Sequence, residues 1–315
     1  MSEICLVTGG GGFIGSHVAE ALTAQGRPVR VLDDFSTGLR SNLEHLRPAP
    51  EVVEGDLADP AAAERALRGV GLVFHLGALA SVARSVEAPL ASHQACATGT
   101  VTVLDAARRA GVRRVVYAAS SSAYGGLQND RQREDDPVQP LSPYAAAKLA
   151  GELYAQAFSA TYGLETVALR FFNIFGPRQR ADSPYSGVIA LFIAAMTAGR
   201  APTVHGDGLQ SRDFTFVGNA VQALLKAAAA PGVSGNDYNV GTGCRVTVLQ
   251  LIESLNRLLG TGLQPQFGPA RAGDVRHSCA DISRARQDLG YDPTVSFDEG
   301  LARTLEWYRR SAIPA

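Results

Sequence analysis

The stretch "TGGGGFIGS", residues 8–16, follows the apolar run "ICLV" and opens into "HVAEALTAQG". A strand that halts at glycines and then turns into a helix is the local geometry in which a backbone approaches a phosphate. Glycine permits the tight turn and the close contact, and the helix N-terminus supplies unpaired N–H groups and the positive end of its dipole. Gly9, Gly12 and Gly15 stand in a GxxGxxG spacing, which meets the same demands as the GxGxxG of many dinucleotide sites. Asp33 and Asp34 close the next apolar run, "PVRVLDD". An acid there suits the adenosine ribose hydroxyls and repels a 2′-phosphate, which favours NAD over NADP; a turn or helix cap is the other use open to Asp34. Asp56, in "GDL", follows the third run, placed either to meet the adenine amine or to close a turn.

Outward from this loop the pattern repeats. "PAAAERALRG" follows "EVVEGDL", "TVTVLDAARRAG" follows "LVFHLGA", and "PYAAAKLAGELYAQAFSATYG" follows "RRVVYAASS". Nearly all-apolar strands alternating with helices predict a parallel sheet covered on both faces, the doubly wound α/β architecture. From Asn173 onward Pro177, Pro184 and Pro202 break the rhythm, and loops such as "HGDGLQSRD" mix glycine with charge. We therefore expect a dinucleotide-binding domain over 1–172 and a smaller α/β lobe over 173–315, interleaved with the end of the sheet.

Twenty-nine basic against 30 acidic residues leave a formal charge of −1, and 46% of the chain is hydrophobic. No global field draws such a protein to nucleic acid or an anionic membrane. Cys5, Cys96, Cys244 and Cys279 are scattered, without metal-ligand or redox spacing, so no metal is expected and reduced thiols in a cytoplasmic protein are. The expectation of a cytoplasmic protein also rests on an N-terminus without a basic segment and on the absence of any apolar run of membrane-spanning length.

Tyr144 and Lys148 lie four apart in "SPYAAAKLAGE". On a helix beginning near Pro143 they share a face, where an ammonium favours the phenolate and lowers a pKa of ~10 toward neutrality. With "TGGGGFIG", "LDD", "GDL", "HLGA", "SSSAYG", "PYAAAK", "RFFNIFGP", "GDGLQSRDF" and "RAGDVRHSCAD" in order, the chain resembles the extended short-chain dehydrogenase/reductase family along nearly its whole length. Within it, the chain looks like the nucleotide-sugar 4-epimerases of the galactose-epimerase type. That resemblance implies a Rossmann-type sheet with a substrate-binding lobe and NAD held by Gly9, Gly12, Phe13, Ile14, Gly15, Asp33, Asp34, Ser36, Thr37, Gly38, Asp56, Leu57, Leu76, Ala78, Tyr144, Lys148 and Phe172. It also implies a UDP-sugar substrate met by Ser81, Ser120, Ser121, Asn173, Val188, His205, Arg212, Arg271, Asp274 and Ser278, and a homodimer through helices near 93–111 and 143–162. Cys96 replaces the family's Asn in "NVxGT", Gly218 an Asp near "YV", and Ala147 a common Ser.

By position Ser120 matches the family's catalytic hydroxyl, able to bridge the sugar O4 and the Tyr144 phenol, while a serine merely capping the strand end fits Ser121 or Ser122 better. In related 4,6-dehydratases the next two positions are Asp and Glu; here they are Ser121 and Ser122. Elimination of water then lacks its acid and base, which leaves oxidation and re-reduction at C4. The implied cycle takes the O4 proton with Tyr144, passes hydride from C4 to NAD, turns the 4-keto sugar over and returns the hydride to its other face, so that glucose and galactose configurations interchange. Ser278 stands where some galactose-specific relatives carry a bulky Tyr, leaving room for a 2-acetamido group, so UDP-GlcNAc/UDP-GalNAc joins UDP-glucose/UDP-galactose as a substrate pair. A 4-keto reductase, a 4,6-dehydratase and a non-catalytic NAD-binding regulator are the rival readings.

Overall fold

The structure is a computed structural model that describes residues 3–127, 129–182, 186–270 and 275–311. Its first half runs β1 (Ile4–Thr8), α1 (Phe13–Ala24), β2 (Val29–Asp33), β3 (Glu51–Glu54), α2 (Pro60–Leu67), β4 (Val70–His75), α3 (Val82–Glu87), α4 (Pro89–His93), α5 (Gly99–Arg109), β5 (Arg114–Ser120), α6 (Pro143–Tyr162) and β6 (Glu165–Phe171). The second half adds β7 (Ile174–Phe175), α7 (Val188–Thr197), β8 (Thr203–His205), β9 (Ser211–Arg212), β10 (Thr215–Phe216), α8 (Val217–Ala229), β11 (Asp237–Val240), β12 (Val246–Thr247), α9 (Val248–Leu259), β13 (Gln266–Gly268), α10 (Ser283–Leu289) and α11 (Phe297–Arg310).

Seven parallel strands form one sheet in the order β3-β2-β1-β4-β5-β6-β11. Strand order reverses between β1 and β4, and the crevice at such a reversal is where doubly wound sheets take ligands. Helices cover both faces, so the inner strands are apolar without alternation: every residue of β2 is buried, and six of seven in β5. Val18 and Leu22 of α1 pack with Ala220 and Leu224 of α8 on one face. Ala62 and Ala66 of α2, Val103 and Leu104 of α5, and Ala155 and Phe158 of α6 fill the other.

The Rossmann-type sheet expected from the sequence is thus present, and its far edge comes from the second half. β11 pairs with β6, and α8 packs back on the sheet, while Phe175, Ile193, Phe214, Phe216, Leu251 and Leu301 form a separate core. The chain leaves the sheet after β6, returns for α8 and β11, and leaves again. The stretch before α5 is less regular than a single helix: α4 passes through a π-helical turn at Gln94–Thr98 into α5. Among the described residues no helix is long and apolar enough to cross a membrane.

Candidate active site

The crevice is a cleft of about 1250 Å³ running from the glycine loop to the second core. At its floor Gly9 has φ +66°, and a Cβ there would sit 2.7 Å from Gly77 Cα; a Cβ on Gly15 would collide with the Gly9 carbonyl. Both glycines are therefore demanded by close backbone approach. Gly12 caps α1 without a side-chain acceptor, and no acid lies in the first turn, so the helix end stays electropositive where it meets the cleft. This cradle, which a methyl group would fill, fits a diphosphate. Gly38 lies outside the cleft wall but against the loop, where a Cβ would come 2.8 Å from the Gly11 carbonyl carbon.

Asp33 ends β2 and is buried. Its Oδ2 accepts from the Gly11 amide and its Oδ1 from the Phe35 amide, both at 2.8 Å. An ionised carboxylate has about four acceptor sites, so two bonds leave capacity for ribose hydroxyls. Burial raises its pKa, with the two amides pulling the other way. Asp34 closes a turn, accepting from Ser36 N (2.9 Å) and Ser36 Oγ (2.7 Å), which is the turn use considered for it above. Asp56 likewise accepts from Ala58 N at 2.8 Å, and Asp34, Asp56, Leu57, Leu76 and Ala78 all line the cleft with Phe13, Ile14, Ser36 and Thr37.

Behind the cofactor side runs a buried hydrogen-bond chain whose direction is fixed by its ends. Thr100 Oγ1 donates to Cys96 O (2.6 Å), so it accepts from His75 Nε2–H (3.0 Å). Nδ1 is then the acceptor for Thr8 Oγ1–H at 2.7 Å, and Thr8 Oγ1 accepts from the Leu76 and Gly77 amides at 3.1 and 3.2 Å. His75 is neutral: burial, and secondarily the charge of Lys148, lower its pKa to about 3.

Tyr144 and Lys148 occupy successive turns at the start of α6, which Ser142 caps by accepting from Ala145 N (3.2 Å) ahead of Pro143. Ser120 ends β5 and lines the cleft with Tyr144 and Lys148, near enough to the phenol to favour its ionised form. Ser120 Oγ accepts from Ser122 N (3.2 Å) and shares a 2.8 Å hydrogen bond with Ser122 Oγ. The strand-end cap thus falls on Ser120 itself, not on Ser121 or Ser122, because the chain turns into a 3₁₀ turn at Ser121–Tyr124. Lys148 is 3% exposed. The Tyr144 phenol lies above its ordinary value: burial dominates, and Lys148 and Ser120 pull it down without overcoming burial. The lowering expected from the Tyr–Lys spacing is present as a contribution and is outweighed.

Toward the second core Asn173, at φ +27°, directs Nδ2 to Ser278 Oγ at 3.4 Å, and Phe172 packs nearby with its ring 6.2 Å from that of Tyr124. Ser81 caps α3, accepting from Arg84 N, and Ser81, Ser121, Arg212 and Ser278 line the cleft. Val188 begins α7 against the second core, and His205 sits on β8 with Nδ1–H directed at Pro269 O (3.3 Å); neither lines the cleft. Arg271 and Asp274 lie outside the described residues.

Two features escaped the sequence reading. Asp213, fully buried, accepts from Thr242 N (2.8 Å), Thr242 Oγ1 (2.7 Å), Gly243 N (2.9 Å) and Ala280 N (3.1 Å). It ties the strand bearing Arg212 to the loop after β11 and to the segment bearing Ser278; its adjacency to Arg212 in "RDF" was the available signal. Arg178 and Arg180 line the cleft from "GPRQR", Arg178 reaching Ser16 and Glu20 of α1 and Arg180 the Thr37 carbonyl. Cys96, noted above as standing in place of the family's Asn, lies buried in the π-helical turn, packed with Ala147 and Tyr144.

This arrangement meets its counterparts in known proteins. The model of the NAD dependent epimerase/dehydratase family matches residues 5–241. The chain is 39% identical to a UDP-glucose 4-epimerase of Mycolicibacterium smegmatis, over 98% of this chain and 99% of that one. Two solved structures superpose along the same length. A UDP-glucose 4-epimerase of Thermotoga maritima with UDP-glucose has TM-score 0.94 and 36% identity, covering 98% of this chain and all of that one. A UDP-N-acetylglucosamine 4-epimerase of Methanobrevibacter ruminantium, complexed with UDP-N-acetylmuramic acid, has TM-score 0.93 and 36% identity, covering 99% and 100%. The chain belongs to the NAD dependent epimerase/dehydratase family, and its cofactor is NAD.

Proposed function

We propose that the protein is an isomerase, an NAD-dependent UDP-hexose 4-epimerase acting on UDP-glucose/UDP-galactose, with UDP-GlcNAc/UDP-GalNAc accommodated beside Ser278. The observation that carries this reading is the convergence of Ser120, Tyr144 and buried Lys148 on one cleft wall, with serines and no carboxylate at the two positions that follow Ser120. NAD, when bound, accepts the C4 hydrogen of the sugar and gives it back. Every other requirement falls to the chain. Tyr144, as the phenolate that Lys148 stabilises, takes the O4 proton through Ser120 and becomes the neutral phenol. Asp33 anchors the adenosine end of the cofactor, while the glycine loop and the start of α1 hold the diphosphate.

For C4 to invert, the sugar must present both faces in turn while its nucleotide stays fixed. Arg212, together with Arg271, is assigned to the substrate diphosphate, and its guanidinium is steadied by the Ser211 and Arg276 carbonyls at 2.9 and 3.3 Å. Asn173 and Ser278, small and hydrogen-bonded to each other, leave the sugar end roomy. We assign residues 1–172 mainly to the cofactor and 173–315 mainly to the nucleotide sugar. A cytoplasmic homodimer completes the proposal. It draws on the unpaired cysteines and on the exposed apolar side chains of Val86, Leu90, Leu153 and Tyr154, on three helices (α3, α4 and α6) that pack together.

The test is to incubate purified protein, with no NAD added, with UDP-glucose and separately with UDP-GlcNAc, and to resolve products by anion exchange or proton NMR. Appearance of the C4 epimer supports the reading, and the ratio of the two rates tests the Ser278 argument. Conversion of neither sugar, even with NAD supplied, overturns it. Sedimentation of the same sample reads the oligomeric state.

A further inference from the structure

Lys148 is a buried cation with no carboxylate paired to it among the described residues. Burying an ammonium is costly unless something replaces water. What faces it is the ring of Tyr117, a fully buried residue of β5: Lys148 Nζ lies 4.2 Å from the ring centroid, within cation–π range. The same Tyr117 donates its hydroxyl to the Lys148 carbonyl at 3.1 Å. One side chain therefore holds both the head and the backbone of Lys148. Gly151, one turn further along α6, is glycine where a Cβ would run into the Tyr117 hydroxyl.

We propose that Tyr117 is a positioning residue for the reaction, whose ring face carries the Lys148 ammonium so that its charge reaches the Tyr144 phenol undiminished. A carboxylate would also stabilise the buried ammonium, but as a full negative charge it would cancel the field at Tyr144. An aromatic quadrupole stabilises the cation and adds no net charge. The surroundings follow the same rule. His75 of β4, 5.5 Å from the Tyr117 ring, is held neutral with both nitrogens committed. Glu152 of α6, the acid of that helix nearest Tyr117, is spent on Arg170 of β6 at 2.6 Å. Cys96 of the π-helical turn is a buried thiol, and Arg84 and Glu87 of α3 stand in the cleft wall.

The inference rests on the proposed roles of Tyr144 and Lys148, and the experiment separates the two. Tyr117 is replaced by phenylalanine and then by phenylalanines bearing increasing numbers of ring fluorines, which drain the quadrupole while nearly preserving volume. For each protein the pH dependence of kcat is measured, together with the ultraviolet absorbance of tyrosinate as a function of pH, with Tyr144→Phe as the blank. Weakening the ring makes the ammonium less stable and the phenolate less well matched. The acid limb should therefore move to higher pH and the alkaline limb to lower pH, in step with fluorination, by about one pH unit over the series. A profile that stays fixed across the series while Lys148→Met displaces it overturns the proposal for Tyr117 alone. A profile unmoved by Lys148→Met overturns the Tyr144–Lys148 reading beneath it.

Discussion

The two ends of the cleft are built in opposite ways. The cofactor end is contiguous and backbone-defined: Gly9, Gly12 and Gly15 lie within seven residues, and Asp33 locks the loop through main-chain amides. The proposed sugar end is assembled from segments far apart in sequence, with Ser81, Ser120, Asn173, Arg212 and Ser278 on one cleft, and Asp213 ties the strand that bears Arg212 to the segment that bears Ser278. A reaction that reuses one cofactor while turning its substrate over needs this asymmetry. It calls for a tight, shape-determined grip at one end and a tethered but roomy site at the other.

The sharpest way to break this comparison is at the junction of the two ends. Tyr144→Phe removes the proton acceptor, and kcat should fall by about 10²–10⁴-fold with NAD content unchanged. Loss of bound NAD in that variant would show that the two ends are not separable. Asp213→Asn turns a carboxamide N–H donor toward amides that need an acceptor, at a cost of about 3 kcal/mol. Thermal melts should shift down, and KM for the nucleotide sugar should rise more than kcat falls, because Arg212 and Ser278 lose their common anchor. Gly9→Ala should act on the other end. A left-handed backbone costs a non-glycine residue about 1–2 kcal/mol before any clash with Gly77 is counted, so the purified protein should carry less NAD.

A finer distinction comes from pH. His75 is held neutral with a pKa of about 3, far below the ~6.5 of an unfolded histidine. Between those values the unfolded chain binds a proton that the native protein refuses, so this contribution to stability is complete above pH ~6.5 and drains away as pH falls toward 3. His17, at about 4 through burial and the neighbouring Arg178 charge, acts in the same sense, whereas buried Asp213, whose pKa is raised, acts in the opposite one. His75→Gln should flatten the acid side of the stability–pH curve by up to about 1.4 kcal/mol per pH unit, as read by urea unfolding at a series of pH values. The smallest effect is expected from Ser122→Ala, which removes a hydroxyl that bonds Ser120 but leaves the Ser122 amide in place. A two- to five-fold decrease in kcat is about what one neutral hydrogen bond is worth.

The same asymmetry decided what could be read from the sequence. The glycine loop, the acids closing β2 and the Tyr–Lys spacing on α6 are short-range patterns with short-range physics, and residue spacing alone placed them. The sheet and its interleaving with the second half were legible because buried parallel strands are uniformly apolar. Asp213 was not legible. A carboxylate that accepts four hydrogen bonds from segments about 30 and 67 residues away looks, in sequence, like any charged loop residue. The sign of the Tyr144 shift was hidden for a related reason, since spacing shows Lys148 nearby but not how completely the phenol is desolvated. Tyr117 had looked like one more apolar strand residue, and only the packing of α6 on β5 puts its ring beneath the ammonium.

The most direct measurement uses UDP-glucose deuterated at C4, incubated with the purified enzyme in ordinary water and followed by deuterium and proton NMR. An epimerase that holds its cofactor between the two half-reactions returns the same hydrogen, so the UDP-galactose formed should carry deuterium at C4 and nowhere else. Label washed into solvent, or found at C6 of a 4-keto product, would contradict the account and assign the serine-flanked site to a different reaction.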